Sequence, residues 1–130
     1  MKAEVAIKSL REALLHGGLQ HHLHTNIEWI EAEEIDSLQT AASRLRHMDG
    51  ILIPGGFGKR GIQGMINAIQ YAREKKVPFF GICLGMQCAT IEYARNVAGL
   101  ADANSTEFDP QTPHRVIYKL RELLGVDEMG

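Results

Sequence analysis

The feature that most constrains this fold is a pair of short apolar runs, Ile51-Leu52-Ile53 and Val77-Pro78-Phe79-Phe80-Gly81-Ile82. Each leads through a glycine-marked turn into a helical pattern. Continuous runs rich in β-branched and aromatic residues are how strands covered on both faces read. Pro54 stops the first run, and Gly55-Gly56-Phe57-Gly58-Lys59-Arg60-Gly61 follows as a loop. Ile62, Ile66, Ile69 and Ala72 then recur at helical spacing up to Lys76. The second run passes straight into Cys83, and from Leu84 to about Val97 the pattern is helical again, closed by Gly99. Strand, loop, helix, strand, sharp turn, helix is a βαβα unit. The expected class is therefore α/β, a three-layer, doubly wound and mostly parallel sheet with helices on both faces.

The flanking segments are less distinctive. Ile7, Leu10 and Leu14 predict a helix that Gly17-Gly18 should end. Asn26 to Ile30 alternates apolar and polar residues, the pattern of a half-buried strand. Glu31, Glu33, Glu34 and Asp36 form an acidic run, read as a solvated loop before a helix striped by Leu38, Ala41, Ala42 and Leu45. Beyond Ala101 the chain is irregular, broken by Pro110 and Pro113, and Val116 to Leu124 fits strand or helix. His16, His21, His22 and His24 cluster, but with no Cys, Asp or Glu among them to complete a coordination shell, so no metal site is expected.

Composition excludes several classes. The 130 residues allow one domain, and 45% hydrophobic with 23% charged residues is globular rather than disordered. A net charge of -2 lacks the basic signature of a nucleic-acid binder. No apolar run approaches the roughly 20 residues of a membrane span, and no signal-peptide core is present. Cys83 and Cys88 lie too close together to staple distant parts of the chain, so a reduced, cytoplasmic setting is the default.

Chemistry concentrates where a parallel sheet places its ligands, at the carboxyl ends of the strands. Gly81-Ile82-Cys83-Leu84-Gly85 has the form of a nucleophile elbow with Cys in place of Ser. A tight turn between strand and helix lifts the side chain clear of the backbone, and flanking glycines remove Cβ atoms that would clash. The sulfur then sits at a helix N-terminus whose free N–H groups favour a thiolate, and the Leu84 amide can face a developing oxyanion. The competing reading of Cys83 is a buried cysteine at an apolar strand end. Cys88, one turn on, reads as packed core. The Gly55–Gly61 loop lacks P-loop spacing. Its favoured role is to bring a second amide, on Gly56, beside Cys83, with phosphate binding as the alternative. Lys59 and Arg60 are either a solvated charge pair or a contact to a bound acidic group or partner domain. A cysteine held at such an elbow is suited to acyl transfer on a carbonyl substrate.

The heptad Gly81-Ile82-Cys83-Leu84-Gly85-Met86-Gln87 resembles the nucleophile motif of class I glutamine amidotransferases, whose sheet is flavodoxin-like. Pro54 to Gly61, Ile91 to Val97 and Asn104-Ser105-Thr106-Glu107-Phe108-Asp109 together resemble the CTP synthase family, over about Lys8 to Val116. The resemblance implies that Cys83 attacks the side-chain amide of L-glutamine, forms a γ-glutamyl thioester and releases ammonia. It places glutamine on Gly56, Leu84, Gly85, Met86, Gln87 and Glu107, with Gly56 and Leu84 as oxyanion donors and Glu107 gripping the α-ammonium group. It also implies a separate synthetase domain that uses ATP and magnesium to aminate UTP, in an enzyme that is a homo-oligomer. No cofactor or metal is expected in this chain.

Measured against that pattern, residues 1–130 read as a partial, incomplete amidotransferase domain. The synthetase domain is absent, and Met1 to Ala6 is a poor replacement for the family's first strand. The catalytic His-x-Glu pair expected downstream is missing: the one histidine after Cys83 is His114, followed by Arg115-Val116. The expectation is a chain that turns over little or no glutamine alone. The alternatives are a non-catalytic binding or regulatory domain that keeps the elbow, and another cysteine hydrolase of the same class.

Overall fold

The computed structural model describes residues 3–56 and 59–120 of the chain. Phe57 and Gly58 of the glycine-rich loop, and residues 121–124 of the ambiguous C-terminal segment, lie outside the described residues. Two compact units are present, Met1–Ile30 and Glu31–Gly130.

The first unit is built on helix α1, Ala3–Gln20. It runs through Gly17 and Gly18 rather than stopping there. The stop comes at His22, whose φ of 56° is left-handed. The Leu23 amide donates to the Gly18 carbonyl at 2.8 Å and the His22 amide to that of Leu19 at 3.0 Å, the paired bonds that satisfy carbonyls at a helix end. Gly18 serves another purpose: a Cβ there would overlap the Thr25 hydroxyl, so its bareness lets the returning chain lie against the helix. The expected strand at Asn26–Ile30 does not form among the described residues, and Trp29 is 50% exposed. Alternation decides which side chains share a face, but a strand also needs a partner's N–H and C=O groups, and none is supplied within this unit. The four neighbouring histidines are exposed.

The second unit opens with a short 3-10 helix, Ala32–Glu34, in the acidic run. Helix α2, Leu38–Leu45, is started by Ser37, whose side chain accepts from the Thr40 amide at 3.1 Å. Strand β1, Ile51–Ile53, helix α3, Ile62–Lys75, strand β2, Phe79–Gly81, and helix α4, Leu84–Asn96, form the expected βαβα unit. β1 and β2 are parallel, with Ile51 opposite Phe79 and Ile53 opposite Gly81. α3 and α4 pack on each other, and α4 also lies against both strands. Ile53, Ile66, Ile69, Leu84, Cys88 and Ile91 are buried in this core. A second parallel pair, β3 (Ala103–Ser105) and β4 (His114–Ile117), also seats on α4. The first part of the ambiguous C-terminal segment is thus strand.

One expectation about burial is corrected. Ile53 is buried, but Phe80 is 62% exposed, so the second run is not covered on both faces. Cross-strand partners share a face. Ile53 and Gly81 face α4, whereas Leu52 and Phe80 face the other way.

Between the helices sits a buried ion pair. Glu92 on α4 is 1% exposed and receives the Arg73 fork from α3, with Nη2 at 2.7 Å and Nε at 2.9 Å from Oε1. Asn96 Nδ2 adds a bond to Glu92 at 3.2 Å.

Candidate active site

The elbow forms because β2 runs out directly beneath the first turn of α4. The Ile82 amide donates to the Ile53 carbonyl at 2.9 Å, which holds the strand end to β1. The next residue, Cys83, caps α4 with φ 52° and ψ −103°. A non-glycine residue in this region costs about 1–3 kcal/mol and persists only where its surroundings enforce it. Here the enforcement is close backbone approach. A Cβ on Gly81 would stand 2.6 Å from the Gly85 carbonyl carbon and 2.7 Å from the Met86 nitrogen. One on Gly85 would overlap the Ile53 carbonyl. Both flanking glycines of the motif are therefore required, as the elbow reading expects.

Cys83 is exposed, not sealed in the core. Cys88 is the reverse: it is fully buried, and burial pushes its thiol up to about 11. In the first turn of α4, the Gly85 amide donates to the Ile82 carbonyl at 2.9 Å and the Gln87 amide to that of Cys83 at 3.0 Å. The Leu84 amide meets no acceptor among the described residues. A helix start of this kind carries a partial positive charge.

The glycine-rich loop lies alongside. A Cβ on Gly55 would sit 3.4 Å from Cys83 Cβ, and one on Gly56 would sit 3.3 Å from a Leu84 methyl carbon. Gly56, Cys83, Leu84 and Gly85 are thus brought together, and consecutive βα loops are neighbours as topology requires. Met86 follows at 55% exposure and Gln87 is half-buried. Glu107 stands on the turn after β3, half-buried, its amide bonded to Ser105 Oγ at 3.2 Å. Its carboxylate makes no hydrogen bond or ion pair among the described residues, and no described contact joins it to Cys83. His114 is exposed on β4, opposite Ala103.

Arg60 pairs with an acid of the chain itself, an arrangement that neither expectation named. Nε lies 2.5 Å from Glu33 Oε1 and Nη2 lies 2.8 Å from Oε2, a two-pronged pair. Sequence reasoning missed Glu33, treating its acidic run as solvated, because its partner lies 27 residues away in the chain. It also passed over Gly55 in favour of Gly56. Among the described residues, no cluster of His, Cys, Asp and Glu could hold a metal ion. No described helix is long and apolar enough to cross a membrane.

An exposed sulfur on an enforced bend, at a helix start and against a glycine loop, is suited to attack a carbonyl carbon and stabilise the resulting oxyanion. Comparison with known proteins narrows the family. The model for glutamine amidotransferase class-I matches residues 6–123. The chain is 66% identical over 128 residues to a CTP synthase of Koribacter versatilis, and 64% identical over 127 residues to one of Acidobacterium capsulatum. Each match covers 98% of this chain and 23% of the relative, so the chain spans about a quarter of those proteins. A solved structure of Trypanosoma brucei CTPS, its glutaminase domain with bound acivicin, superposes with a TM-score of 0.77 at 38% identity. That match covers 85% of this chain and 42% of the other. By its fold, its elbow and these matches, the chain belongs to the class-I glutamine amidotransferase family.

Proposed function

We propose that this chain carries the nucleophile of the glutamine-hydrolysing part of a CTP synthase. The observation that carries the proposal is Cys83 held exposed at the start of α4, with Gly55 and Gly56 against it. In this reading the Cys83 thiolate attacks the side-chain amide carbon of L-glutamine. The carbonyl oxygen becomes an oxyanion between the amides of Gly56 and Leu84. The tetrahedral adduct collapses, the C–N bond breaks, and the amine takes a proton and leaves as ammonia. Water then cleaves the γ-glutamyl thioester to glutamate and regenerates the thiol. Removing one oxyanion donor typically costs about 10²–10³ in rate. Gly85, Met86 and Gln87 line the substrate, and the unpartnered Glu107 carboxylate grips its α-ammonium group.

On the resemblance to the CTP synthase family, the ammonia would pass to a separate synthetase domain that aminates UTP with ATP and magnesium. That chemistry is not assigned to any residue of this chain. Proton delivery to the leaving amine needs an acid–base group. Among these 130 residues no His-x-Glu pair follows Cys83, so that role is assigned to no described residue. The second reading is a binding domain that retains the elbow without catalysis.

Acivicin, a glutamine-mimicking electrophile, separates the two. Incubation followed by peptide mass mapping is expected to label Cys83 and spare Cys88, with L-glutamine slowing the reaction and His114→Ala leaving it unchanged. Equal, slow labelling of both thiols with no protection by glutamine would refute the catalytic reading.

A further inference from the structure

We propose that Glu33 is a positioning residue for the glycine loop beside Cys83, acting through Arg60, and this rests on the glutaminase reading above. The loop has two ends. Its start, Gly55-Gly56, lies against Cys83 and Leu84. Its finish, Arg60-Gly61, is seated on the short 3-10 helix in three ways. The Arg60 fork holds both Glu33 oxygens at 2.5 and 2.8 Å. Gly61 has φ +73° and presses its bare Cα face towards Ala32, where a Cβ would stand 3.0 Å from the Ala32 Cβ. Gly64, one turn into α3, leaves no room for a Cβ beside the Ala32 carbonyl.

The platform itself is fixed. The buried Asn67 side chain donates to the Ile35 carbonyl at 3.0 Å and accepts from Gln63 at 3.1 Å. Arg60 thus anchors the far end of the same short loop whose near end carries the Gly56 amide. Lys59, the adjacent cation, forms no ion pair among the described residues. A two-pronged guanidinium–carboxylate pair fixes orientation as well as distance, which a lysine cannot reproduce.

The Glu33 carboxyl is held below its usual range by the Arg60 hydrogen bonds, so the pair is charged at neutral pH. Both partners face solvent, so the effect is modest and sensitive to salt.

The experiment measures two rates on the full chain: acivicin labelling of Cys83 and amide hydrogen exchange of peptides covering residues 54–61. Variants are Glu33→Gln, Arg60→Gln, Arg60→Lys and the swap Glu33→Arg/Arg60→Glu. Each single variant is expected to label about two- to five-fold more slowly at low salt, the scale of an exposed, well-aligned ion pair, and to exchange faster over 54–61. Arg60→Lys should fail to restore the rate, the swap should recover at least half of the loss, and high salt should shrink the difference. Single variants that label at the wild-type rate, or a swap no better than the singles, would overturn the proposal. Labelling of wild-type Cys83 that glutamine does not slow would instead sink the glutaminase reading. The exchange rates would then still decide whether Glu33 holds the loop.

Discussion

Removal of the Glu92 carboxylate is the sharpest test of what holds the elbow helix in place. Glu92 is 1% exposed and accepts three contacts from Arg73, at 2.7, 2.9 and 3.1 Å, and one from Asn96 at 3.2 Å. Breaking a buried pair from one side typically costs about 3–5 kcal/mol, because the remaining charge is left without compensation. Arg73, however, is 33% exposed and can turn part of its guanidinium to water. That brings the expected cost of Glu92→Met to or below the bottom of this range, about 2–3 kcal/mol. With a urea slope of about 1–3 kcal/mol/M, the midpoint should fall by roughly 1–2 M. The double variant Glu92→Met/Arg73→Met replaces both charges with apolar groups of similar length and should recover most of the loss. Urea unfolding followed by circular dichroism, with all four chains of the cycle, measures the coupling directly. A single variant within about 0.5 kcal/mol of wild type, or a double variant no more stable than Glu92→Met, would refute the reasoning.

Other perturbations are equally specific. Because burial raises the Cys88 thiol to about 11, that group stays protonated well above its ordinary range. Its reaction with a thiol reagent should be negligible at pH 8 and climb about tenfold per pH unit until it titrates or the chain unfolds, while Cys83 reacts in the native state. Lys76 ends α3 with φ 58° in the left-handed region, so Lys76→Gly should stabilise the fold by about 0.5–1 kcal/mol and raise the melting temperature by a few degrees. Gly85→Ala inserts a methyl group into the Ile53 carbonyl; it should cost about 1–3 kcal/mol and slow acivicin labelling of Cys83, and wild-type values for both would contradict the described packing.

The βαβα unit was legible because several local signals agree there. The isoleucine spacing of α3 and the glycines around it gave Ile62–Lys76 against an observed Ile62–Lys75, and the two glycines of the elbow proved sterically obligatory. Topology also foretold that the Gly55-Gly56 and Cys83-Leu84 turns would be neighbours. What failed was information that lies in partners. Gly17-Gly18 looked like a helix stop, but glycine serves close approach as well as left-handed turns, and only the fold says which. Asn26–Ile30 has the alternation of a strand without one to pair with in its unit. Phe80 sits in an apolar run, yet its register turns it away from α4. Arg60 and Glu33 are 27 residues apart, beyond any helical or turn spacing that would reveal the pair. Glu92 carried a faint signal: it falls four residues after Cys88, on the stripe that α4 buries, where an acid needs a counter-charge.

Helix α4 touches all four strands of its unit, β1 and β2 near the elbow and β3 and β4 on the other pair. Its thirteen residues make a rod about 20 Å long. The two strand pairs share no ladder, so this rod serves as their common axle. The distance from the sulfur at its start to the β3–β4 pair that carries the Glu107 turn is therefore set by a single piece of backbone.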